Sequence, residues 1–247
     1  MMTRSSFHLP LSRKHRFIGS FNLADSHLLV RDGAFFNQCK NVLRLREGQE
    51  IVLGDGKGSE ARAKILAYGT RSVSVELLDR ATVTREVPIE ATLYASMLKH
   101  EHFEFVVQKA TEAGIARIVP IESARTVKKG MKRARLETIM REASEQSGRA
   151  HTPVLEDMMT FGEALDAAKA AGRVVFFDSS GIALTDIPTA KKGTSIALFV
   201  GPEGGWDAQE LAGAHDAGCV IASLGGLVLR AETAATIAVY LGAHGLL

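Results

Sequence analysis

Short runs of alternating apolar and polar residues fill about the first 80 positions of the chain, a pattern that is typical of strands. The predicted strands are His15–Ile18, His27–Arg31, Glu50–Leu53, Ala61–Ala67 and Ser72–Leu77. Glycine-containing turns separate several of these strands, and one helix is predicted over Ala34–Leu45, just before Glu47 and Gly48. This part of the chain is therefore predicted to form a small β-barrel that includes one helix.

The pattern changes from Ile89 onward, because apolar runs now alternate with longer amphipathic stretches. The runs predicted as strands are Ile89–Ala95, Arg117–Ile121, Val174–Phe177, Ile196–Val200 and Val220–Leu224. Apolar residues three and four apart predict helices over Glu101–Ala113, with Gly114 as its C-cap, and over Met131–Gln146. This alternation indicates an α/β fold with a mostly parallel sheet, and the boundary between the two parts is expected within Arg80–Pro88.

Composition and simple motifs exclude several classes of function. The chain has 247 residues and a formal net charge of +2, so contact with nucleic acid requires a local basic patch. Cys39 and Cys219 are far apart, which predicts free thiols in a reducing cytoplasm. The sequence has no secretory signal, no apolar run of transmembrane length, and no P-loop, GxSxG, HExxH or CxxC motif. We therefore expect a cytoplasmic protein without membrane insertion or a metal ion.

The strongest local charge bias lies between Arg125 and Arg149. Its basic residues are Arg125, Lys128, Lys129, Lys132, Arg133, Arg135, Arg141 and Arg149, and they are opposed only by Glu137, Glu142 and Glu145. Two interpretations carry equal weight: a solvated amphipathic helix, or an edge that contacts nucleic-acid phosphates.

Two glycine-rich stretches follow the last two predicted strands and carry the clearest chemical signal. The first is LFVGPEGGW, Leu198 to Trp206, and the second is SLGGLVLRAETA, Ser223 to Ala234. Either one alone is compatible with an ordinary strand-to-helix turn. Two glycine loops side by side predict a pocket with backbone walls, which suits a flat nucleoside-like cofactor. Ordinary dinucleotide folds place such a loop after the first strand, so this order argues against them.

These residues resemble the knotted SPOUT methyltransferases and, more narrowly, the bacterial 16S ribosomal RNA uracil-N3 methyltransferases. Three further stretches are similar to that family: QKATEAG from Gln108, EASEQSGR from Glu142, and the pair Arg16-Phe17-Ile18 and Val42-Leu43-Arg44. The resemblance implies a PUA-like β-barrel at 14–82, a SPOUT-type knotted α/β domain at 83–247, and an N-terminal extension at 1–13. It further implies S-adenosyl-L-methionine as cofactor, a homodimer, and 16S rRNA or the small ribosomal subunit as partner.

The resemblance also assigns the candidate site residues. Residues expected at the cofactor are Phe177, Val200, Gly201, Pro202, Glu203, Gly204, Gly205, Leu224, Gly225, Leu229, Thr233 and Ala234. Residues expected at the RNA are Arg16, Arg44, Lys109, Arg125, Gln146 and Arg149.

Arg230 and Glu232 are the catalytic candidates. Arg230 would stabilise a developing uracil anion, and Glu232 or Glu203 would accept a proton or orient Arg230. An equally weighted interpretation makes Glu232 a helix N-terminal acid, and the pattern alone favours a surface Lys109–Glu112 pair for Lys109.

The chain departs from the family pattern at five positions, Gln38, His100, His102, Leu227 and Ala231. These departures leave the glycine loops intact and concern RNA contact and the target base. Two other functions stay open at this point: a SPOUT methyltransferase for another RNA or atom, and a non-catalytic RNA-binding protein. Binding of S-adenosylmethionine would distinguish an enzyme from a simple binder.

Overall fold

The computed structural model describes residues 14–83, 86–126, 130–191 and 193–247. The predicted N-terminal extension, together with Lys128 and Lys129, lies outside these residues. The chain divides into two compact units. The first unit contains the described residues up to Glu86 together with Ser144–Thr152, and the second unit contains Val87–Ala143 and Pro153–Leu247.

The first unit is built on one five-stranded sheet. Its strands are β1 (Arg16–Ile18), β2 (His27–Val30), β3 (Glu50–Gly54), β4 (Ser59–Tyr68) and β5 (Val73–Thr82), in the spatial order β1-β3-β4-β5-β2. β1 runs parallel to β3, and the other pairs are antiparallel. Phe17, Leu53 and Val75 lie in its buried core together with the Cys39 thiol. All five predicted strands are confirmed.

The helix predicted over Ala34–Leu45 is correct only in its first part. Helix α1 (Gly33–Asn37) begins at Asp32, whose carboxylate accepts hydrogen bonds from two backbone N–H groups, and is followed by a π-helical turn, Gln38–Val42. The Leu43 N–H donates to the Gln38 carbonyl five residues earlier, and Arg44 then adopts a left-handed backbone with φ of 52°. The prediction of a helix to Leu45 is wrong because this wider turn and the reversal at Arg44 end it.

The second unit contains a parallel sheet of seven strands. They are β6 (Glu90–Ser96), β7 (Arg117–Glu122), β8 (Val154–Leu155), β9 (Met159–Thr160), β10 (Arg173–Ala183), β11 (Ser195–Val200) and β12 (Val220–Ser223). Their spatial order is β12-β10-β11-β6-β7-β8, with β9 also paired to β7, and every pair is parallel. The predicted α/β fold with a mostly parallel sheet is confirmed.

Helices complete the second unit and leave buried side chains on both faces of its sheet. They are α2 (His100–Glu112), α3 (Arg133–Ser147), α4 (Phe161–Ala168), α5 (Ala208–Asp216) and α6 (Ala231–Ala243), and the end of α3 belongs to the first unit. Neighbouring strand residues point to opposite faces. Leu198 therefore packs in the core under α2 and α6, whereas Phe199 packs in an aromatic cluster on the other face. Gly114, with φ of 101°, follows α2 as predicted.

Strand β10 is longer than the sequence predicted. The pattern ended it at Phe177, but its pairing with β12 resumes at Ile182 after an irregularity that leaves Asp178–Gly181 without register partners. Gly181 is packed against the β12 backbone, where an added Cβ would lie 2.5 Å from backbone atoms of Ala222. Only glycine fits this close approach. The bulge that Gly181 allows places Asp178 and Ser179 at the carboxyl end of the sheet.

Residues 144–152 form part of the first unit, although the sequence interpretation placed them within 83–247. Glu145 accepts a hydrogen bond from the Ile18 N–H at 2.8 Å. The Gly58 N–H donates to the Ala150 carbonyl, and the Thr152 N–H donates to the Gly56 carbonyl. A linear pattern of strands and helices carries no signal for such a long-range return.

Cys39 and Cys219 are free thiols, as predicted. Cys39 is fully buried, and this burial raises the pKa of its thiol to about 12, whereas Cys219 is only half-buried. Among the residues that the structure describes, no helix is long and apolar enough to cross a membrane.

Candidate active site

A cavity of about 590 Å³ lies at the carboxyl ends of β10, β11 and β12, where both glycine loops meet. Ligands of open α/β sheets bind at this edge. The cavity brings together nearly all the predicted cofactor and catalytic residues: Phe177, Val200, Gly201, Pro202, Glu203, Gly204, Gly205, Leu224, Gly225, Leu229, Arg230, Glu232 and Ala234. The spacing of two glycine loops therefore located a real pocket.

Thr233 is the exception among the predicted cofactor residues. Its side chain is exposed and does not line the cavity, whereas its neighbours Ala231, Glu232 and Ala234 do. Because successive residues of a helix point about 100° apart, one residue of this first turn of α6 must face away.

The sequence interpretation missed His102, Asp178, Ser179 and Trp206, which also line the cavity. Asp178 and Ser179 were hidden by the unforeseen bulge of β10. His102 comes from a helix that is distant in sequence. Trp206 had a detectable signal, since a large aromatic residue directly follows the GPEGG loop.

Trp206 fixes the shape of the first glycine loop. Its indole N–H donates to the Phe177 carbonyl at 3.0 Å, and its side chain is buried. The ring lies against Gly201, where an added Cβ would approach the indole to 3.0 Å. This packing couples the end of β11 to the end of β10 and favours glycine at position 201.

The buried carboxylate of Glu210 fixes the backbone at the end of the same loop. Glu210 accepts hydrogen bonds from the Asp207 N–H at 2.9 Å and from the Ala124 N–H at 2.8 Å. The first bond completes the capping box of α5, and the second connects that helix to the segment after β7. The Arg125 guanidinium donates to the Gly204 carbonyl at 2.7 Å. Arg125 thus orders the first glycine loop, and the RNA contact predicted for it stays a prediction.

The second glycine loop runs from Ser223 to the first turn of α6. Gly225 has a φ of 121°, and its N–H and carbonyl both lie within hydrogen-bonding distance of the Ser223 hydroxyl. Leu227 and Val228 follow, with exposures of 82% and 98%. Arg230 is the N-cap residue of α6, and its guanidinium forms no ion pair with another residue in the described ranges.

The charged groups of the cavity wall are mainly acidic. Asp178, Glu203 and Glu232 contribute carboxylates, and Arg230 contributes a guanidinium. The Glu232 carboxylate is 13% exposed, and its Oε1 lies 3.5 Å from Nδ1 of His102. This balance favours a positively charged ligand.

The residues predicted at the RNA have different surroundings. Arg16 is 11% exposed and donates to the buried Glu60, and Arg149 pairs with Glu86 at 3.0 Å. Lys109 pairs with Glu112, as its surface interpretation expected. These three cations form ion pairs with carboxylates of the protein itself, so their contacts with RNA stay predictions.

Arg44 and Gln146 are exposed. Lys40, near Arg44, lies over the rings of Phe36 and Tyr68. Basic and aromatic groups therefore occur together at the π-helical turn, a combination suited to nucleic acid.

The described residues contain no group of three or more histidine, cysteine, aspartate or glutamate side chains that could hold a metal ion.

Family comparisons agree with this arrangement. A model described as an RNA methyltransferase domain matches residues 85–242, and one described as an RNA methyltransferase PUA domain matches residues 39–78. By fold and site, the protein is therefore an RNA methyltransferase with a PUA domain.

Individual relatives narrow the family. Ribosomal RNA small subunit methyltransferase E of Mycobacterium bovis is 34% identical over 231 residues, covering 88% of this chain and 86% of that protein. The structure of a protein with the same name from Neisseria gonorrhoeae, bound to S-adenosyl methionine, has a TM-score of 0.81 and 32% identity, covering 92% and 95% of the two chains. A methyltransferase of Legionella pneumophila in complex with SAM has a TM-score of 0.84 and 27% identity, covering 93% and 97%. The chain belongs to the family of the ribosomal RNA small subunit methyltransferases E.

Proposed function

We propose that this enzyme methylates N3 of a specific uridine in 16S rRNA of the small ribosomal subunit, with S-adenosyl-L-methionine as methyl donor. The observation that carries the proposal is the cavity of about 590 Å³ between two glycine loops at the carboxyl end of a parallel sheet. Relatives named for methylation of the small-subunit rRNA support the substrate class. A substrate in ribosomes corresponds to a location in the cytoplasm.

The residues present fit this cofactor. Gly201 accommodates the Trp206 ring that shapes the first glycine loop, and the glycine loops offer backbone N–H and C=O groups that can pair with an adenine edge. The acidic balance of Asp178, Glu203 and Glu232 suits a cationic ligand. When bound, S-adenosylmethionine supplies an electrophilic methyl group on its sulfonium.

The remaining chemistry belongs to the protein. Uracil N3 carries a proton that must leave before or during methyl transfer, and the base must be unpaired to expose this atom. Arg230, an exposed cation at the cavity, would stabilise the negative charge that develops on the uracil. Glu232 would accept the proton or hold Arg230 in position. Its buried Oε2, which has no hydrogen-bond partner within the described part of the chain, supports a role toward substrate or cofactor.

The first unit is proposed to bind the rRNA through its π-helical turn. Arg44 and Lys40 are exposed there, and Phe36 and Tyr68 lie beneath the Lys40 ammonium. Phosphate contacts position such a complex, whereas aromatic side chains suit single-stranded bases. Lys109, Gln146 and the internally paired Arg16, Arg125 and Arg149 remain further candidates.

We also propose that the second unit has the SPOUT trefoil knot and that two copies form a homodimer. The paired glycine loops and the parallel sheet support the first part. Exposed apolar side chains support the second: Phe105 on α2 and Ile237 and Tyr240 on α6 are 44%, 36% and 52% exposed. Leu227 and Val228, which line the cavity, are also exposed, and this supports an active site near the interface.

Mass spectrometry of 16S rRNA tests the substrate. Cells that lack the protein should lose one N3-methyluridine, and the purified enzyme with S-adenosylmethionine should restore it. An unchanged modification profile would overturn the assignment, whereas loss of a different methyl mark would indicate another RNA position or atom.

Two variants test the role of Arg230. Arg230→Ala should retain cofactor binding and lose about 100-fold or more in methylation rate, because a donor aimed at developing charge is removed. Arg230→Lys keeps the positive charge and should retain more activity. Near-normal methylation by Arg230→Ala would remove this residue from the mechanism.

Size-exclusion chromatography with light scattering tests the dimer. Tyr240→Glu should yield a monomer, because a charge on an apolar interface is not compensated. Val154→Glu, at another exposed apolar position, should leave the mass of the dimer unchanged.

A further inference from the structure

His102 stands next to the acidic wall of the cofactor cavity. It lies in the first turn of α2 and lines the cavity together with Glu232 from α6. Nδ1 of His102 is 3.5 Å from Oε1 of Glu232, which is too far for a good hydrogen bond but close enough for an ion pair once the imidazole is protonated.

Both side chains of this pair have unused hydrogen-bonding capacity. Nδ1 of His102 and Oε2 of Glu232 are both buried without a hydrogen-bond partner among the residues that the structure describes. Buried polar atoms in this condition cost free energy until a proton or a ligand satisfies them. The pair can therefore respond both to a proton on the imidazole and to charge on a bound ligand.

The other charged groups nearby do not replace this interaction. On α2 itself, Glu101 approaches Nε2 of His102 to 4.0 Å, but its carboxylate is 86% exposed and therefore strongly screened. On α6, Glu232 faces the imidazole and Arg230 precedes it, and the remaining charges of the cavity wall are Asp178 and Glu203. Protonation of His102 would thus change a wall with three carboxylates and one guanidinium into a nearly balanced one.

We propose that His102 is a positioning residue whose proton, acting through Glu232, sets the preference of the cavity for the cationic methyl donor over its neutral product. This inference rests on the proposed use of S-adenosylmethionine. Methyl transfer converts a sulfonium into an uncharged thioether, while the rest of the ligand keeps its charges. A neutral His102 leaves Glu232 available to the sulfonium, whereas a protonated His102 competes for the same carboxylate. By linkage, binding of the cation favours loss of that proton.

Binding measurements on the full-length protein test the proposal without any turnover. Trp206 is the only tryptophan, so its fluorescence can follow titrations with S-adenosylmethionine and S-adenosylhomocysteine. Imidazoles change charge between about pH 5 and 8. As the pH increases across this range, the ratio of the two affinities should rise on the order of three- to tenfold in favour of the methyl donor. Use of the ratio removes the effects of those groups that ionise identically in both ligands.

Three variants make the measurement specific. His102→Gln should give a ratio that does not change with pH and stays near the wild-type value at high pH. His102→Arg should also give a constant ratio, near the wild-type value at low pH, because its cation is permanent. Glu232→Gln, in which His102 has lost its partner, should reduce the pH dependence. Circular dichroism would establish that each variant is folded.

Calorimetry in buffers of different ionisation enthalpy provides a second readout. Near neutral pH, binding of S-adenosylmethionine should release a fraction of a proton that S-adenosylhomocysteine does not release, and His102→Gln should abolish this difference. A wild-type pH dependence that persists in His102→Gln would overturn the inference and leave the proposed function standing. Failure of wild-type protein to bind either ligand would overturn both.

Discussion

At the scale of single residues, Arg44 is the one non-glycine residue with a left-handed backbone within the described ranges, with φ of 52°. An L-residue in this conformation costs about 1–2 kcal/mol, and such strain is often retained where a side chain has a function. Arg44 is exposed, so packing does not account for its retention. The strain therefore supports its proposed contact with RNA.

Arg44→Gly should separate stability from binding. Relief of the strain offsets the greater flexibility of glycine in the unfolded chain, so the free energy of unfolding should change by less than about 1 kcal/mol, while affinity for rRNA falls. Arg46→Gly is the matched control, because its φ is not positive, and it should lose about 0.5–1 kcal/mol of stability. Urea unfolding and a filter-binding assay measure the two quantities. Unchanged RNA affinity for Arg44→Gly would contradict the proposed contact.

The shape of the first glycine loop depends on the small size of Gly201. An alanine there would bring its Cβ to 3.0 Å from the buried Trp206 ring, so Gly201→Ala should destabilise the protein by about 1–3 kcal/mol and weaken binding of S-adenosylmethionine. Gly226→Ala is the control, because no atom lies within 4 Å of an added Cβ at that position. Thermal unfolding and cofactor titration distinguish the two variants, and equal behaviour would show that the Trp206 contact is not limiting.

The sequence predicted the position of the cavity because its two loops are rich in glycine, and such loops can be recognised from sequence alone. Gly201, Gly204 and Gly225 stand in two short motifs, and such motifs imply close backbone approach whatever the rest of the fold. The sequence did not predict His102 and Asp178 as cavity residues, because no local motif surrounds them. The first reaches the cavity through helix packing, and the second through a bulge that depends on a neighbouring strand.

At the scale of elements, strands and long helices followed their apolar periodicity closely, and deviations occur where long-range contacts override it. Strand β10 continues past Phe177 because Gly181 allows a close approach to β12. Residues 38–42 have no apolar period that would reveal a π-helical turn, whose wider hydrogen-bonding ring shifts the chain that follows it.

Gly181→Ala tests the importance of this approach. Its Cβ would lie 2.5 Å from backbone atoms of Ala222, which cannot move without displacing β12, so a loss of about 2–3 kcal/mol or more is expected. Gly162→Ala, in α4 with no atom within 4 Å of the added Cβ, should instead stabilise the protein by about 0.5–1 kcal/mol. Chemical denaturation followed by circular dichroism measures both. A mild effect at Gly181 would mean that β10 and β12 are separable at the bulge.

At the scale of the whole molecule, residues 144–152 belong to the first unit although they are distant from it in sequence. The sequence pattern did not predict this. The segment contributes a carboxylate to the Ile18 N–H and two backbone hydrogen bonds to the loop at Gly56 and Gly58. Any treatment of the first unit as residues 14–82 alone leaves these groups without their partners. Because buried or partly buried backbone groups require partners, the two stretches should unfold together.

Gly56 provides a probe of this joint unit. Its φ is 69°, and an added Cβ would meet Ile18 Cγ2 and Thr152 Oγ1, each at 3.0 Å, so Gly56→Ala carries both backbone strain and a clash. Gly48→Ala, at φ of 86° with no atom within 4 Å, carries the strain alone, about 1 kcal/mol. Amide hydrogen exchange should therefore accelerate at Thr152 and Gly58 more in Gly56→Ala than in Gly48→Ala. Cooperative opening exposes all amides of one unit at the same free energy. If Thr152 kept its protection in Gly56→Ala while the amides of β3 and β4 lost theirs, residues 144–152 would therefore unfold independently of the sheet.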